Sequence, residues 1–161
     1  MISILGISAY YHDSAAALII DGKIISAAQE ERFSRKKHDK RFPSLALEHA
    51  LNKHSINKEN IKYACYYEDP ILKLDRISKQ FQSDEEFAEY LTLNAENDNL
   101  NNPIITISNS IKIEPAKVKY VKHHESHLFN ALTMYREVNS NNNLLRVITT
   151  DGVGESETSC I

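Results

Sequence analysis

Residues 15–29, AAALIIDGKIISAAQ, set two apolar runs on either side of Asp21-Gly22. An Asp-Gly pair between strand-like runs is a strong signal for a two-residue hairpin, because its turn needs positive φ at both central positions. Before it, Ile2–Ser8 is a short, mostly apolar run that reads as a buried strand. Three strands in the first thirty or so residues commit the chain to a sheet, and the remainder decides what covers it. Pro43 and Ser44 open a helix with Leu47, Ala50, Leu51 and His54 at helical spacing. Ile61–Tyr67 is expected to be a fourth strand, ended by Asp69-Pro70, and residues 71–93 a helical amphipathic stretch. Residues 94–102 and 139–143 are polar, asparagine-rich loops. Pro103–Ile111 is ambiguous, since Ile104, Ile107 and Ile111 fit a helix stripe but are β-branched. Val118–Val121 reads as a short strand leading into a helix of roughly 124–138. Leu144–Thr150 is a further strand, Asp151 to Gly154 a turn, and SETSCI the start of another strand. The order β-β-β-α-β-α-β-α, then β-turn-β, predicts an α/β fold with a mixed sheet and flanking helices. Strand, turn and strand recur at 144–161 as at the start, which suggests two related lobes with the second cut off. The boundary expected is 1–143 for the first lobe and 144–161 for the start of the second.

Composition excludes some classes. The 161 residues are 42% hydrophobic and 25% charged, within the range of one globular domain. A net charge of −3 provides no electrostatic case for a nucleic-acid or membrane partner. Cys65 and Cys160 show no framework spacing and fit a reduced, cytoplasmic protein. The start, MISILGISAYYHD, lacks a basic n-region and is too short and polar for a signal peptide or membrane span. The carboxyl end stops in a strand-like pattern, so a piece of a longer protein is expected.

Three stretches carry chemistry. In VKHHESHLFNAL, residues 121–132, His123 and His127 are four apart. On a helix beginning at His123 they share a face, about 5–6 Å apart at Cβ, which suits two ligands of one metal ion. A polar helix start is the alternative, since two such histidines alone do not specify a metal. His124 and Glu125 point elsewhere. Asp151, at a strand end beside Gly152, is the best candidate for a third ligand, the alternative being a plain Asp-Gly turn. Gly152 and Gly154 can leave N–H groups facing phosphate oxygens. Tyr10-Tyr11-His12-Asp13-Ser14 follows the first strand. There His12 can serve as a general base, with Asp13 orienting it, or Asp13-Ser14 can simply cap a turn. Glu30, Glu31 and Arg32 read as a surface ion-pair cluster, and Phe33–Arg41 as a mobile, basic surface loop or else a clamp for an anion.

Taken together, YYHDSAA, AQEERF and RFP in residues 2–43, then VKHHESHLFNA and ITTDGVGE, strongly resemble the O-carbamoyltransferases of the nodulation-protein U type. Residues 68–116 add little beyond compatible spacing. The resemblance implies an actin/Hsp70-like (ribonuclease H-like) two-lobed fold, related to the tRNA threonylcarbamoyl transferases. In those relatives a His-x-Glu-Gly-His motif supplies two metal ligands. Residues 123–127 match it with Ser126 in place of the glycine, which selects His123 and His127, leaves out His124, and adds Asp151. The alanines that follow the family's last histidine are replaced by Leu128-Phe129, a change expected to affect packing more than ligation. A remaining aspartate ligand is implied in a later segment. His12 matches the histidine that the family places near the transferred carbamoyl group.

The implied activity is transfer of a carbamoyl group from carbamoyl-adenylate, made from carbamoyl phosphate and ATP by a carboxyl-terminal domain, to a hydroxyl of a small acceptor such as a sugar or an antibiotic. The expected metal is divalent. Iron suits the histidine and carboxylate set best, and zinc and manganese also fit it. His12 would take the acceptor's proton, and Gly152, Val153 and Gly154 would face the nucleotide phosphate. One rival is an actin/Hsp70-like module that binds nucleotide without transferring anything; the other is an inert fragment. A lobe without its partner is also expected to self-associate through exposed apolar surface or an unpaired edge.

Overall fold

Asp21 and Gly22 both take positive φ, 47° and 80°, and reverse the chain between β2 (Ala15–Ile20) and β3 (Lys23–Gln29). The Asp21 carboxylate also accepts the N–H of Ile2 at 2.6 Å, tying the turn to the start of β1 (Ser3–Ser8). A computed structural model describes residues 2–94, 103–138, 146–152 and 158–160. With β4 (Tyr63–Tyr66) and β5 (Val118–Tyr120), these strands form one sheet in the order β3-β2-β1-β4-β5. The first three are antiparallel neighbours, and β1, β4 and β5 run parallel. Parallel neighbours need crossovers, and the helices supply them. Between β3 and β4 lie α1 (Glu31–Ser34) and α2 (Ser44–Lys53), and between β4 and β5 lie α3 (Pro70–Ser78), α4 (Asp84–Asn94) and α5 (Pro103–Ile111). This is the mixed sheet with flanking helices expected from the sequence.

The register puts Leu5 opposite Leu18 and Ala64, and Ile7 opposite Ala16 and Tyr66. These residues are buried and share one face by the two-residue period of a strand, and all but Leu18 form one core with Leu47 and Leu51 of α2 and Ile107 and Ile111 of α5. The ambiguity at Pro103–Ile111 is thus settled as helix. The isoleucine stripe faces the sheet, and burial outweighs the weak helix propensity of β-branched residues. On the opposite face Ile24, Ile19, Ile4 and Tyr63 form a row across four strands, with Ile24 47% and Tyr63 39% exposed.

Two expectations are corrected here. The helical stretch 71–93 is two helices. Ser83 Oγ accepts the N–H of Glu86 at 3.2 Å and Glu86 reaches back to the N–H of Gln82 at 3.1 Å, so α4 has its own start. Phe81 then packs on Phe87 and Tyr90 across the break. Glu30 is not part of a surface cluster. It is buried, and its carboxylate accepts the N–H groups of Leu45 at 3.1 Å and Ala46 at 2.8 Å. Helix α2 begins after Pro43, which offers no side-chain cap, and Glu30 satisfies its first donors from outside the helix. Glu30→Ala is expected to destabilise the protein by about 2–4 kcal/mol, read from urea denaturation, with Glu30→Gln costing less because it retains one acceptor.

Beyond α6 (His123–Val138), β6 (Thr149–Thr150) pairs antiparallel with β7 (Ser159–Cys160) in a separate two-stranded ladder. The strand expected over Leu144–Thr150 is therefore shorter. Arg146–Ile148 have no regular structure, and Leu144 and Leu145 lie outside the described residues. Of the loops expected at 94–102 and 139–143, Asn94 ends α4 instead and the other residues lie outside the described ones. No helix among the described residues is long and apolar enough to cross a membrane.

Candidate functional site

Because β1, β4 and β5 are parallel, their carboxyl ends open on the same edge of the sheet. In open α/β sheets that edge is where ligands bind. Three connections meet there: residues 9–14 after β1, Tyr67 to Asp69 after β4, and the turn into α6 after β5. Between them lies a cavity of about 510 Å³ whose lining includes His12, Glu68, His123, His127 and Asp151.

Helix α6 begins at His123, one residue earlier than expected, so His123 and His127 do lie on one turn. Their Nε2 atoms are 3.2 Å apart. Asp151 Oδ2 lies 2.5 Å from the first and 3.2 Å from the second. The aspartate follows β6, and its backbone N–H is held by the Thr158 carbonyl at 2.9 Å. Two imidazole nitrogens and a carboxylate oxygen converge on one point, and they form a donor set suited to a divalent cation. His123 is largely buried and His127 half-exposed, which leaves one side of the cluster open to the cavity. His124 faces away and bonds Thr149 Oγ1 at 2.8 Å, docking α6 on β6. Gly152 lines the cavity, while Val153 and Gly154 lie outside the described residues.

His12 lines the same cavity. Its Nδ1 is 2.9 Å from Asp13 Oδ2, and the other Asp13 oxygen is 2.9 Å from His38 Nδ1. The contact with His38, with His12 adding to it, holds the Asp13 carboxyl below its usual range. Tyr10 and Asp13 both take positive φ, and backbone bonds from Tyr10 to Lys40 and from Ser14 to Asp39 hold this tight loop. The segment Phe33–Arg41 is therefore more than a mobile surface loop, since it clamps the His12 loop. Its anchor is Asp39, fully buried and gripped through both oxygens by Arg41 at 2.9 and 2.6 Å. A further cluster of Asp13, Glu31 and His38 has metal-like spacing. Its atoms already bond one another, with Glu31 accepting the His38 backbone N–H, so it reads as a tie between loops.

The Arg41 contact holds the Asp39 carboxyl well below its ordinary value of 3.8 despite burial. A carboxyl depressed in the folded state stabilises above its unfolded value and loses that contribution as pH falls through the native one. Stability is expected to drop below about pH 4. Asp39→Asn should flatten that acid limb in denaturation midpoints measured across it.

The model of the carbamoyltransferase N-terminus family matches residues 3–160. The chain belongs to that family. It is 48% identical over 81 residues to an uncharacterized protein of Synechocystis sp., a match that covers 50% of this chain and 13% of that protein. It is 24% identical over 146 residues to the nodulation protein NolNO of Sinorhizobium fredii, covering 91% of this chain and 20% of the relative. The chain thus spans a fifth or less of the length of these two relatives. Among solved structures it is similar to YeaZ from Pseudomonas aeruginosa, at 9% identity and a TM-score of 0.44, over 86% of this chain and 50% of that one.

In this carbamoyltransferase N-terminal chain the cavity also contains residues that sequence reasoning passed over. Tyr67, Glu68, Lys73 and Arg76 line it from β4's end and α3. Lys73 Nζ bonds Glu68 Oε1 at 2.9 Å, with both side chains nearly buried, and lies 5.8 Å from the centre of the Tyr11 ring. Tyr11 in turn sits against His12, ring centres 4.5 Å apart. Burial pushes the Tyr67 phenol well above its usual pKa, so it stays a neutral donor. Helix α3 is set by Asp69, which accepts the Ile71 N–H at 2.9 Å, with Pro70 in its first turn. The available signal was the i,i+3 pair Lys73 and Arg76, which share a helix face.

Proposed function

We propose that the chain is the first part of the transfer domain of an O-carbamoyltransferase. Residues 1–143 form the first lobe of an actin/Hsp70-like fold and 144–161 start the second. The observation that supports this reading is the single cavity shared by His12 and the trio His123, His127 and Asp151. The donor substrate is carbamoyl-adenylate, made from carbamoyl phosphate and ATP in another part of the longer protein, and the acceptor is a hydroxyl of a small sugar-like or antibiotic-like molecule. Nucleic acid and membrane play no part, and the protein works in the cytoplasm.

The trio would hold a divalent metal, iron ahead of zinc or manganese, which when bound supplies Lewis-acid stabilisation to phosphate and the reacting group. His12 removes the acceptor proton. With Nδ1–H donated to Asp13, the Nε2 lone pair is left for the hydroxyl. Gly152, with Val153 and Gly154, offers N–H groups to phosphate. In the whole protein, a closed route between the sites would keep water from an intermediate that would otherwise hydrolyse.

The test follows carbon-13 from labelled carbamoyl phosphate in the whole protein. Label in a carbamate ester, dependent on ATP and on the acceptor, is the expected result. Nucleotide binding with no ester on any hydroxyl offered would favour the binding-module rival. The 161 residues alone are expected to give no turnover. The open row Ile4, Ile19, Ile24 and Tyr63 supports self-association of that isolated chain, and a single monomeric boundary in sedimentation would contradict it.

A further inference from the structure

We infer that Arg76 is the anion-binding residue of the cavity and holds a phosphate or carboxylate oxygen of the ligand there. Three observations lead to it. Arg76 lies on α3 and lines the cavity that His12 and the metal-ligand trio share. Its Nε is buried and has no hydrogen-bond partner among the described residues. A buried guanidinium nitrogen left unpaired costs stability, and such groups are retained where a ligand completes them. The neighbouring cation, Lys73, is already matched by Glu68 at 2.9 Å. Arg76 is thus the cation of α3 in this cavity whose charge is not answered by an ion pair among the described residues.

The chemistry points to an oxyanion in particular. A guanidinium presents parallel N–H donors that fit the paired oxygens of a phosphate or carboxylate, and it keeps its charge at any working pH. Arg76 lines the same cavity as His12 and the trio, so an anionic group held by it would lie in the space they share. This step rests on the proposed function for the identity of the ligand, but not for the existence of the anion site. Two sources of the anion are consistent with it, the phosphate of the donor and an acidic group on the acceptor.

The experiment records the Arg76 Nε–H resonance of the full chain while inorganic phosphate, or acetate in a second arm, is added. The affinity for each anion is also measured by calorimetry for the wild type, Arg76→Gln and Arg76→Lys. Phosphate is expected to shift the resonance, Arg76→Gln to weaken binding about tenfold to hundredfold, and Arg76→Lys to recover part of it. A response to phosphate assigns the site to the donor, and a response to acetate alone assigns it to an acidic acceptor; both support the inference. No shift with either anion, or equal affinity in Arg76→Gln, would overturn it. Manganese binding, followed by electron paramagnetic resonance in the same samples, separates the two readings. Loss of the anion response with manganese still bound defeats the Arg76 site alone. An anion response without manganese binding defeats the metal trio alone.

Discussion

His127→Ala is expected to weaken manganese binding by more than about a hundredfold, because losing even an outer partner of a metal ligand costs about 10–100-fold. His127 is the informative choice of the three. Its side chain is half-exposed, so its removal leaves the packing of α6 intact, whereas His123 is wedged against Tyr67 and Asp151. His124→Ala is the matched control. Its imidazole is spent on Thr149, so metal affinity should hold even if α6 docks less firmly on β6. Equal affinity in wild type and His127→Ala would remove the metal from the account. Equal loss in His124→Ala would show that the cluster acts through packing and not by ligation.

His12→Asn is expected to lower carbamoyl transfer by the whole protein about 10²–10⁴-fold, the usual contribution of a positioned general base. Metal binding should be unchanged, because His12 is not among the residues whose ligand atoms converge. Asparagine keeps the size and a hydrogen bond to Asp13 but has no basic nitrogen. Asp13→Asn should give a smaller loss together with an altered pH profile, since asparagine has one acceptor oxygen where Asp13 uses one on His12 and one on His38, and its charge is gone. Full transfer by His12→Asn would sink the base assignment.

Much of this was legible in the chain itself. The Asp21-Gly22 turn determined the hairpin because its backbone geometry is local. His123 and His127 were legible because helical spacing brings residues four apart together. Asp151 needed the resemblance as well, since it lies 28 residues from His123. Other features depend on contacts no local pattern encodes. Among Glu30, Glu31 and Arg32 nothing nearby tells which carboxylate turns inward, and the answer lies fifteen residues on, where α2 begins without a cap. Asp39 sits within a run of cations, and only the folded structure shows it buried beneath the His12 loop. The break between α3 and α4 is a different case. Ser83-x-x-Glu86 is a capping-box pattern that the amphipathic stripe overshadowed. Lys73 and Arg76 escaped notice because a polar helix face looks alike whether it meets water or a cavity.

One measurement bears most directly on whether His12 and the trio serve a single site. Manganese bound to the protein is paramagnetic and broadens the nuclear resonances of nearby groups. If His123, His127 and Asp151 hold it, the ring protons of His12 should broaden as manganese is added, and the broadening should vanish in His127→Ala. Sharp His12 signals in a manganese-loaded protein would place the metal elsewhere and contradict the account.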